Sequence, residues 1–214
     1  MTKKLLYLSC LCLLAITPFG IAKADTIGPS CASCFGSSYT LSYDYTSNPD
    51  VFDVFLVVNT TGFTGGSDDY LNSVALKLVP NSSDIHSVSL VTKPTSFGTT
   101  FDDGLSSNGC GGPGNGFFCS ESSGNGVPVD HTGDIYTFEW VLTVASPSDL
   151  LTGIDDASIK ALYVDDCGNQ DGITSQNITL TDAPPSATPE PSSLLLLGTG
   201  LAGLAGALRK RFAA

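Results

Sequence analysis

The chain has 214 residues, of which 42% are hydrophobic and 14% are charged, and its formal net charge at pH 7 is −12. The negative charge is concentrated in the middle of the chain, because residues 25–188 hold 20 acidic residues against three lysines. Nucleic-acid binding depends on cationic side chains that neutralise phosphates, so this balance excludes nucleic acid as a partner.

The first 24 residues have the pattern of a secretory signal peptide. Two lysines open the segment, residues 5–21 are mainly apolar, and Ala22 and Ala24 supply the small side chains that signal peptidase requires. We therefore predict a signal peptide over residues 1–24, which is removed by cleavage before Asp25.

Residues 25–182 are predicted to form one all-β domain outside the cytoplasm. Apolar and polar residues alternate in seven stretches, which are 39–45, 51–59, 74–79, 88–91, 135–144, 158–164 and 173–180. Turn-forming residues separate these stretches, and no long segment has a helical period. We expect an antiparallel two-layer β-sandwich, and a jelly roll fits the same pattern.

The stretch 135–144 shows the alternation most clearly. One face carries Tyr136, Phe138, Trp140, Leu142 and Val144, while Glu139 lies on the other face. We predict that the aromatic face belongs to the core. Trp140 is therefore interpreted as a core residue and not as a platform for sugar stacking.

Residues 104–126 contain eight glycines and are predicted to be a long exposed loop with no strand of its own. Disulfides are expected outside the cytoplasm, and Cys110 and Cys119 are predicted to pair and staple this loop. Three further cysteines remain in the body, Cys31, Cys34 and Cys167. Two pairings are open for them: Cys31 pairs with Cys34, or one of these two pairs with Cys167.

The body shows no catalytic pattern in its sequence. His86 and His131 lie in separate turn-like segments, and no G-x-S-x-G motif surrounds a serine. Carboxylates are so abundant that a pair suited to glycoside hydrolysis would carry no weight. We therefore expect a protein that is not an enzyme and that requires no cofactor.

One acidic loop is a candidate for a structural Ca²⁺ site. Hard oxygen ligands close together on a loop suit this ion, and the candidate ligands are Asp165, Asp166, Asn169 and Asp171. The spacing is not that of an EF-hand, because Ile178 stands where the twelfth-position Glu would be. Ordinary turn chemistry of Asp and Gly is the alternative interpretation.

A Pro-rich spacer, residues 183–188, leads to a tail of three parts over residues 189–214. The first part is a short motif, Pro189, Glu190 and Pro191. A predicted transmembrane helix follows over about residues 192–208, and the basic cluster Arg209, Lys210 and Arg211 comes last. Lipid accepts the helix while the cations stay on the cytoplasmic side, which is the order of a stop-transfer segment. The fully apolar run, residues 194–208, is shorter than the ~17 to 25 residues of a comfortable span, which favours a transient sorting helix.

The order of these parts resembles the PEP-CTERM sorting signal of Gram-negative bacteria, a tail also labelled an ice-binding protein C-terminal segment. Thr188 stands where that family more often has Val before the first proline. The resemblance implies recognition and cleavage by an exosortase, a membrane protease or transpeptidase, near Pro189 to Pro191. It also implies a link to exopolysaccharide. The signal peptide and the apolar helix, in turn, predict signal peptidase and the membrane as the other partners in processing.

Together these features predict an inner-membrane-anchored precursor that is later displayed on the cell surface or secreted. Its expected role is that of a non-enzymatic structural or adhesive protein of the envelope or exopolysaccharide matrix. One alternative is a carbohydrate-binding or carbohydrate-cleaving surface protein whose exposed aromatics stack on sugars, with Tyr43, Tyr45, Phe117 and Phe118 as the candidates. The other alternative is an envelope protein that keeps its tail as an uncleaved anchor.

Overall fold

The structure is a computed structural model that describes residues 25–66, 69–100, 103–129 and 134–182. Within these ranges the chain forms β-strands and two short 3₁₀-helices, Ser82–Asp84 and Pro147–Asp149, so the all-β prediction is confirmed. The strands are β1 (Asp25–Ile27), β2 (Ser38–Tyr45), β3 (Val51–Asn59), β4 (Tyr70–Lys77), β5 (Ile85–Thr92), β6 (Phe97–Thr100), β7 (Gly104–Ser106), β8 (Gly109–Gly112), β9 (Phe117–Ser122), β10 (Val127–Pro128), β11 (Ile135–Val144), β12 (Ala157–Val164), β13 (Gln170–Ile178) and β14 (Thr181–Asp182).

These strands form two sheets and one separate hairpin in the described part of the chain. The first sheet has the order β1-β2-β3-β11-β5, with β14 also paired to β2. The second sheet has the order β13-β12-β4-β9-β6, with β10 also paired to β4, and β7 pairs with β8 alone. The pairs are antiparallel, as predicted, except that β14 runs parallel to β2.

The main core gathers the inward side chains of both sheets. Alternate residues of β3 and β11 are buried, and both strands have the predicted bounds because an unbroken two-residue period marks them. Phe138 and Trp140 are fully buried and their rings stack at 5.6 Å between centroids. The prediction that Trp140 is a core residue is confirmed.

Buried hydrogen bonds join the first sheet to the second at two places in the described core. The Trp140 indole N–H on β11 donates to Ser120 Oγ on β9 at 2.9 Å. The hydroxyls of Tyr39 on β2 and Tyr163 on β12 lie 2.5 Å apart, and Tyr39 also contacts the Thr174 hydroxyl on β13 at 2.9 Å. Burial raises the pKa of both tyrosines, so these hydroxyls remain protonated donors.

Some predicted strand bounds were wrong where polar residues interrupt the alternation. β4 begins at Tyr70 and not at residue 74, because Asn72 and Ser73 also lie in the strand. The Asn72 side chain is satisfied outside the ladder, since its amide donates to the Gly124 carbonyl at 2.9 Å. A polar residue with a partner can occupy a strand position that the hydrophobic pattern does not mark.

The prediction that residues 104–126 are a loop without strands was wrong. The segment contains β7, β8 and β9, and β9 pairs with both β4 and β6 inside the second sheet. The β7–β8 hairpin packs Leu105 into a second apolar cluster with Cys119, Leu162 and Val164. Glycines permit the tight turns of this hairpin, as at Gly109, whose φ is +91°.

The Cys110–Cys119 pair predicted from the sequence is formed, and it fastens the hairpin to the second sheet with a Cα–Cα distance of 5.7 Å. Of the two pairings left open for the remaining cysteines, the structure joins Cys31 to Cys34. Cys167 forms no disulfide and is exposed. The hairpin is therefore held by a covalent bond as well as by apolar packing.

Three predicted segments lie outside the described residues: the signal peptide, the spacer and the sorting tail with its helix at about 192–208. Within the ranges that the structure describes, no helix is long and apolar enough to cross a membrane.

We predict that Ser120→Ala destabilises the body, because it leaves the buried Trp140 indole N–H without its Ser120 acceptor. The expected loss is about 1–3 kcal/mol in the free energy of unfolding, measured by urea denaturation. Ser175→Ala on β13, where the serine is exposed, is the matched control and should change stability by less than about 0.5 kcal/mol. Equal stability of the Ser120 variant and the wild type would contradict a stabilising role for this bond.

Candidate functional site

The predicted Ca²⁺ loop uses its first aspartate to hold its own turn. Asp165 Oδ1 accepts the backbone N–H groups of Cys167 at 3.0 Å and Asn169 at 2.7 Å. Asp165 Oδ2 accepts the Asn169 side-chain amide at 2.9 Å. The bonds from Asn169 hold the pKa of Asp165 below its usual range. This geometry is that of an Asx-type turn, which was the alternative interpretation of the loop.

The neighbouring side chains of this loop form a small exposed group. The atoms of Asp165, Asp166 and Cys167 that could ligate a metal ion, two carboxylate oxygens and one sulfur, lie within 4.8 Å of one another. A hydrogen bond with Asp166 and the nearby negative charges raise the pKa of the Cys167 thiol, which therefore stays protonated at neutral pH. Asn169 turns its amide N–H toward Asp165, and a structural Ca²⁺ site at this loop stays a prediction.

Asp171, the fourth predicted ligand, faces a different partner. Its carboxyl group interacts electrostatically with that of Asp69, which precedes β4 and is 4% exposed. Asp69 Oδ2 also accepts the Gly66 N–H at 2.6 Å. Burial first, and then the contact with Asp171, raise the pKa of Asp69 to about 6. The sequence contains both aspartates, but no local pattern in it indicates that the starts of β4 and β13 lie at the same end of the second sheet.

The aromatic residues proposed for sugar stacking are mostly not available for it. Tyr43 and Phe118 are buried in the core, and Phe117 is partly buried with Lys160 Nζ 4.6 Å from its ring centroid. Tyr45 is 64% exposed. Its ring packs edge-on against Tyr43, with the two centroids 5.3 Å apart. Of the four candidates for sugar stacking, Tyr45 is therefore the one whose ring is mostly exposed.

A depression of about 440 Å³ lies between the β7–β8 hairpin and the loop before β13. Its rim includes the polar residues Asn108, Glu121 and Gln170, and its floor includes Leu162 and Val164. Glu121 already accepts the Cys110 N–H at 3.1 Å. Hydrolysis of a glycosidic bond uses two opposed carboxylates, whereas Glu121 is the carboxylate residue in the described lining.

The two ends of the body meet at one edge of the first sheet. Asp25, the predicted first residue after signal-peptide cleavage, begins β1, and its backbone N–H lies 3.4 Å from the Thr181 hydroxyl of β14. Its carboxylate accepts the Thr179 N–H at 3.0 Å. Sequence reasoning did not find β14, because a strand of two residues leaves no periodic signal. Asp25 therefore lies beside β14, whose last residue, Asp182, comes directly before the predicted spacer in the sequence.

The remaining predicted processing residues lie outside the described residues: Ala22 and Ala24 of the signal peptide, Pro189, Glu190 and Pro191 of the sorting motif, and Arg209, Lys210 and Arg211 of the basic cluster. Their assignments therefore rest on the sequence.

We predict that the body is less stable at pH 7.5 than at pH 5, in part because of Asp69. A folded-state pKa raised above the unfolded value means that the folded chain binds the proton more tightly, so stability falls as the pH rises from about 4 to above 6. Asp69→Asn, which cannot ionise, should raise stability at pH 7.5 by roughly 2 kcal/mol and flatten this dependence. Thermal melts of both proteins across this pH range check it, with Asp149→Asn as control. A steeper dependence in the Asp69 variant would contradict the assignment.

Comparison with protein-family models gives a match in the tail of the chain. The family described as the PEP-CTERM protein-sorting motif matches residues 187–211, which include the Pro189 to Pro191 motif, the apolar run and the basic cluster. A search of curated proteins found no match for the chain.

Solved structures similar to this chain share little sequence with it. A cohesin module of a family 33 glycoside hydrolase from Clostridium perfringens is 13% identical, with a TM-score of 0.33 over 67% of this chain and 96% of that one. The collagen-binding subdomain of the Enterococcus faecalis surface protein ACE is 10% identical, with a TM-score of 0.29 over 67% and 95%. The DNA-binding domain of C. elegans Cep-1 is 9% identical, with a TM-score of 0.34 over 76% and 85%.

Similarities at this level carry no argument about what the body does. The motif match, in contrast, agrees with the resemblance drawn from the order of motif, apolar run and basic cluster in the sequence. The chain carries a PEP-CTERM protein-sorting motif at residues 187–211, as the order of parts in its tail predicted.

Proposed function

We propose that this protein is a non-enzymatic structural or adhesive component of the envelope or exopolysaccharide matrix, exported through a signal peptide and cleaved near Pro189 to Pro191 by an exosortase. The observation that carries the proposal is the sorting motif at residues 187–211, which implies an exosortase as processing partner and an extracytoplasmic precursor at the membrane. The body then acts by binding and not by chemistry.

Two features of the body support a non-enzymatic role. His86 lies exposed on β5, and the hydrogen bonds found among the described residues include none from it to a serine or cysteine. The buried polar groups, such as Trp140 with Ser120 and Tyr39 with Tyr163, join the two sheets and do not open into a cleft. Their position suits stability of the fold more than catalysis.

The acidic body restricts the matrix components that it can bind. An excess of 17 negative charges over residues 25–188 repels anionic polymers at low salt and attracts cationic ones, whereas neutral polymers are not repelled. The adhesive role therefore predicts retention on the host's own matrix that weakens when salt screens the charges, if cationic groups dominate the contact.

Intact-mass spectrometry of the protein from its native host tests the processing. We expect a mature chain that begins at Asp25 and ends near Pro189 to Pro191, found in the secreted or surface fraction. Glu190→Ala should leave the C-terminal tail in place and shift the protein to the membrane fraction, because it removes the carboxylate of the motif. Asp149→Asn, which removes a carboxylate from the body, is the control and should be processed like the wild type.

A wild-type chain that still ends at Ala214 and remains in membranes would make the protein an uncleaved tail-anchored envelope protein and would overturn the exosortase proposal.

Cosedimentation of the mature protein with cell-free matrix from the same host tests the adhesive role. We expect most of the protein to sediment with the matrix at low salt, while serum albumin, an acidic control protein, stays in solution. If both proteins remain in the supernatant to the same extent, the adhesive role is contradicted, while the proposed processing is unaffected.

A further inference from the structure

The depression between the β7–β8 hairpin and the loop before β13 is rich in side-chain amides. The chain contains nine Asn and two Gln residues. Four of them line this depression of about 440 Å³: Asn72, Asn108, Asn169 and Gln170. The chain has 21 acidic residues, yet Glu121 is the carboxylate residue in the described lining. The depression is therefore an amide-rich patch of low charge on an acidic body.

The strands on both sides of β12 are irregular where this depression lies. The pairing of β4 with β12 skips Asn72, and the pairing of β13 with β12 skips Asp171. Both irregularities fall beside Tyr163, whose neighbours in the chain, Leu162 and Val164, belong to the floor of the depression. A bulge changes the direction of nearby side chains and is common beside functional sites. The sheet therefore departs from a regular ladder at the place where the amides gather.

Two of the four amides have unused hydrogen-bonding groups. The side chains of Asn108 and Gln170 are exposed, and neither forms a hydrogen bond with another residue that the structure describes. The other two amides donate within the fold, from Asn72 to the Gly124 carbonyl and from Asn169 to Asp165. A carboxamide offers two N–H donors and one carbonyl acceptor. The hairpin and β13 thus each contribute one amide that is available to a ligand.

Internal contacts hold both sides of the depression in place. The Cys110–Cys119 disulfide fastens the hairpin, and the Glu121 carboxylate accepts the Cys110 N–H at 3.1 Å. On the other side, the Asp165 carboxylate accepts the Asn169 N–H at 2.7 Å. Binding to a site that is already ordered costs less conformational entropy. The turn at Asp165 therefore supports one wall of the depression.

The chemistry of the lining selects a neutral saccharide. Sugar hydroxyl groups donate and accept hydrogen bonds, as carboxamides do. The carbon-bound hydrogens of a sugar ring pack on apolar side chains, and Leu162 and Val164 supply these on the floor. The acidic body repels anions, and the Glu121 carboxylate is already bonded to the Cys110 N–H. A volume of about 440 Å³ also lies within the range of about 300–1,000 Å³ for small-ligand sites.

We propose that this depression binds a neutral saccharide unit of the matrix polysaccharide, with the amides of Asn108 and Gln170 hydrogen-bonded to the sugar hydroxyls and the sugar ring packed against Leu162 and Val164. The inference rests on the adhesive role proposed above and assigns the ligand class and the site for that role. The site binds the sugar without cleaving it, and it differs from the aromatic residues considered for sugar stacking.

Cosedimentation of the mature protein with cell-free matrix that has been freed of protein by a protease tests the inference. We expect Asn108→Ala and Gln170→Ala each to weaken the apparent affinity about three- to tenfold, because each removes neutral hydrogen bonds to the sugar. The double variant should bind at least about tenfold more weakly than the wild type. Asn177→Ala, which removes an exposed amide at the other end of β13, is the matched control and should bind like the wild type.

Urea denaturation of the same proteins separates a lost contact from a lost fold. Asn108 and Gln170 are exposed, so their variants should unfold at the same urea concentration as the wild type.

Salt dependence gives a second measurement. Hydrogen bonds between uncharged groups are not screened, so the apparent affinity of the wild type should change less than about twofold between about 50 mM and about 500 mM NaCl. A loss of binding at the higher salt concentration would show that charged groups dominate the contact, and it would overturn the assignment of a neutral ligand.

Competition with soluble fragments of the matrix identifies the ligand class. Partial hydrolysis of the matrix and ion exchange give neutral, anionic and cationic oligosaccharides. We expect the neutral oligosaccharides to release the wild-type protein from the matrix at a lower carbohydrate concentration than the other two fractions. Release by a charged fraction alone would overturn the inference.

The outcomes distinguish this inference from the adhesive role on which it rests. A wild-type protein that stays in solution with both untreated and protease-treated matrix would overturn both. Sedimentation with untreated matrix alone would indicate a protein partner, which overturns the saccharide site and leaves the adhesive role. Equal binding of the wild type and the double variant to the protease-treated matrix would likewise overturn the site alone.

Discussion

The charge of the body is the constraint on which its structure depends. With 20 acidic residues against three lysines over residues 25–188, ion pairs can neutralise only a small part of the surface, and exposed pairs contribute little in any case. Stability therefore comes from apolar burial and from uncharged polar groups inside. Cross-sheet hydrogen bonds, such as those from Trp140 to Ser120 and between Tyr39 and Tyr163, position the sheets without desolvating a charge. Among the buried residues that the structure describes, Asp69 is the exception, and burial favours its protonated form.

The sequence predicted those parts of the fold in which a regular pattern has one meaning. β3 and β11 have the predicted bounds because their alternation is unbroken, and the Cys110–Cys119 pair was visible in its spacing across a Gly-rich segment. The prediction of a loop over the same segment was wrong, since glycines lower the apparent strand preference while β9 gains stability by pairing with β4. β14 was missed because two residues have no period.

The same distinction between local patterns and long-range contacts applies to the candidate sites. The sorting tail is defined by the order of its parts along the chain, so it could be predicted from the sequence, and the motif match at residues 187–211 agrees with the prediction. The meeting of Asp69 with Asp171, and of Asp25 with Thr179 and Thr181, depends on which strands become neighbours. Contacts between residues more than a hundred positions apart are set by topology, which no local pattern in this chain encodes.

The adjacent ends of the body have a consequence for how such proteins diversify. Because the chain enters at Asp25 and leaves at Asp182 along one strand, the domain between the leader and the tail behaves as an interchangeable module. A different domain whose first and last residues also lie close together could replace residues 25–182. Joining the two ends by a short linker and opening the chain at a surface turn should likewise give a permuted protein with the same core.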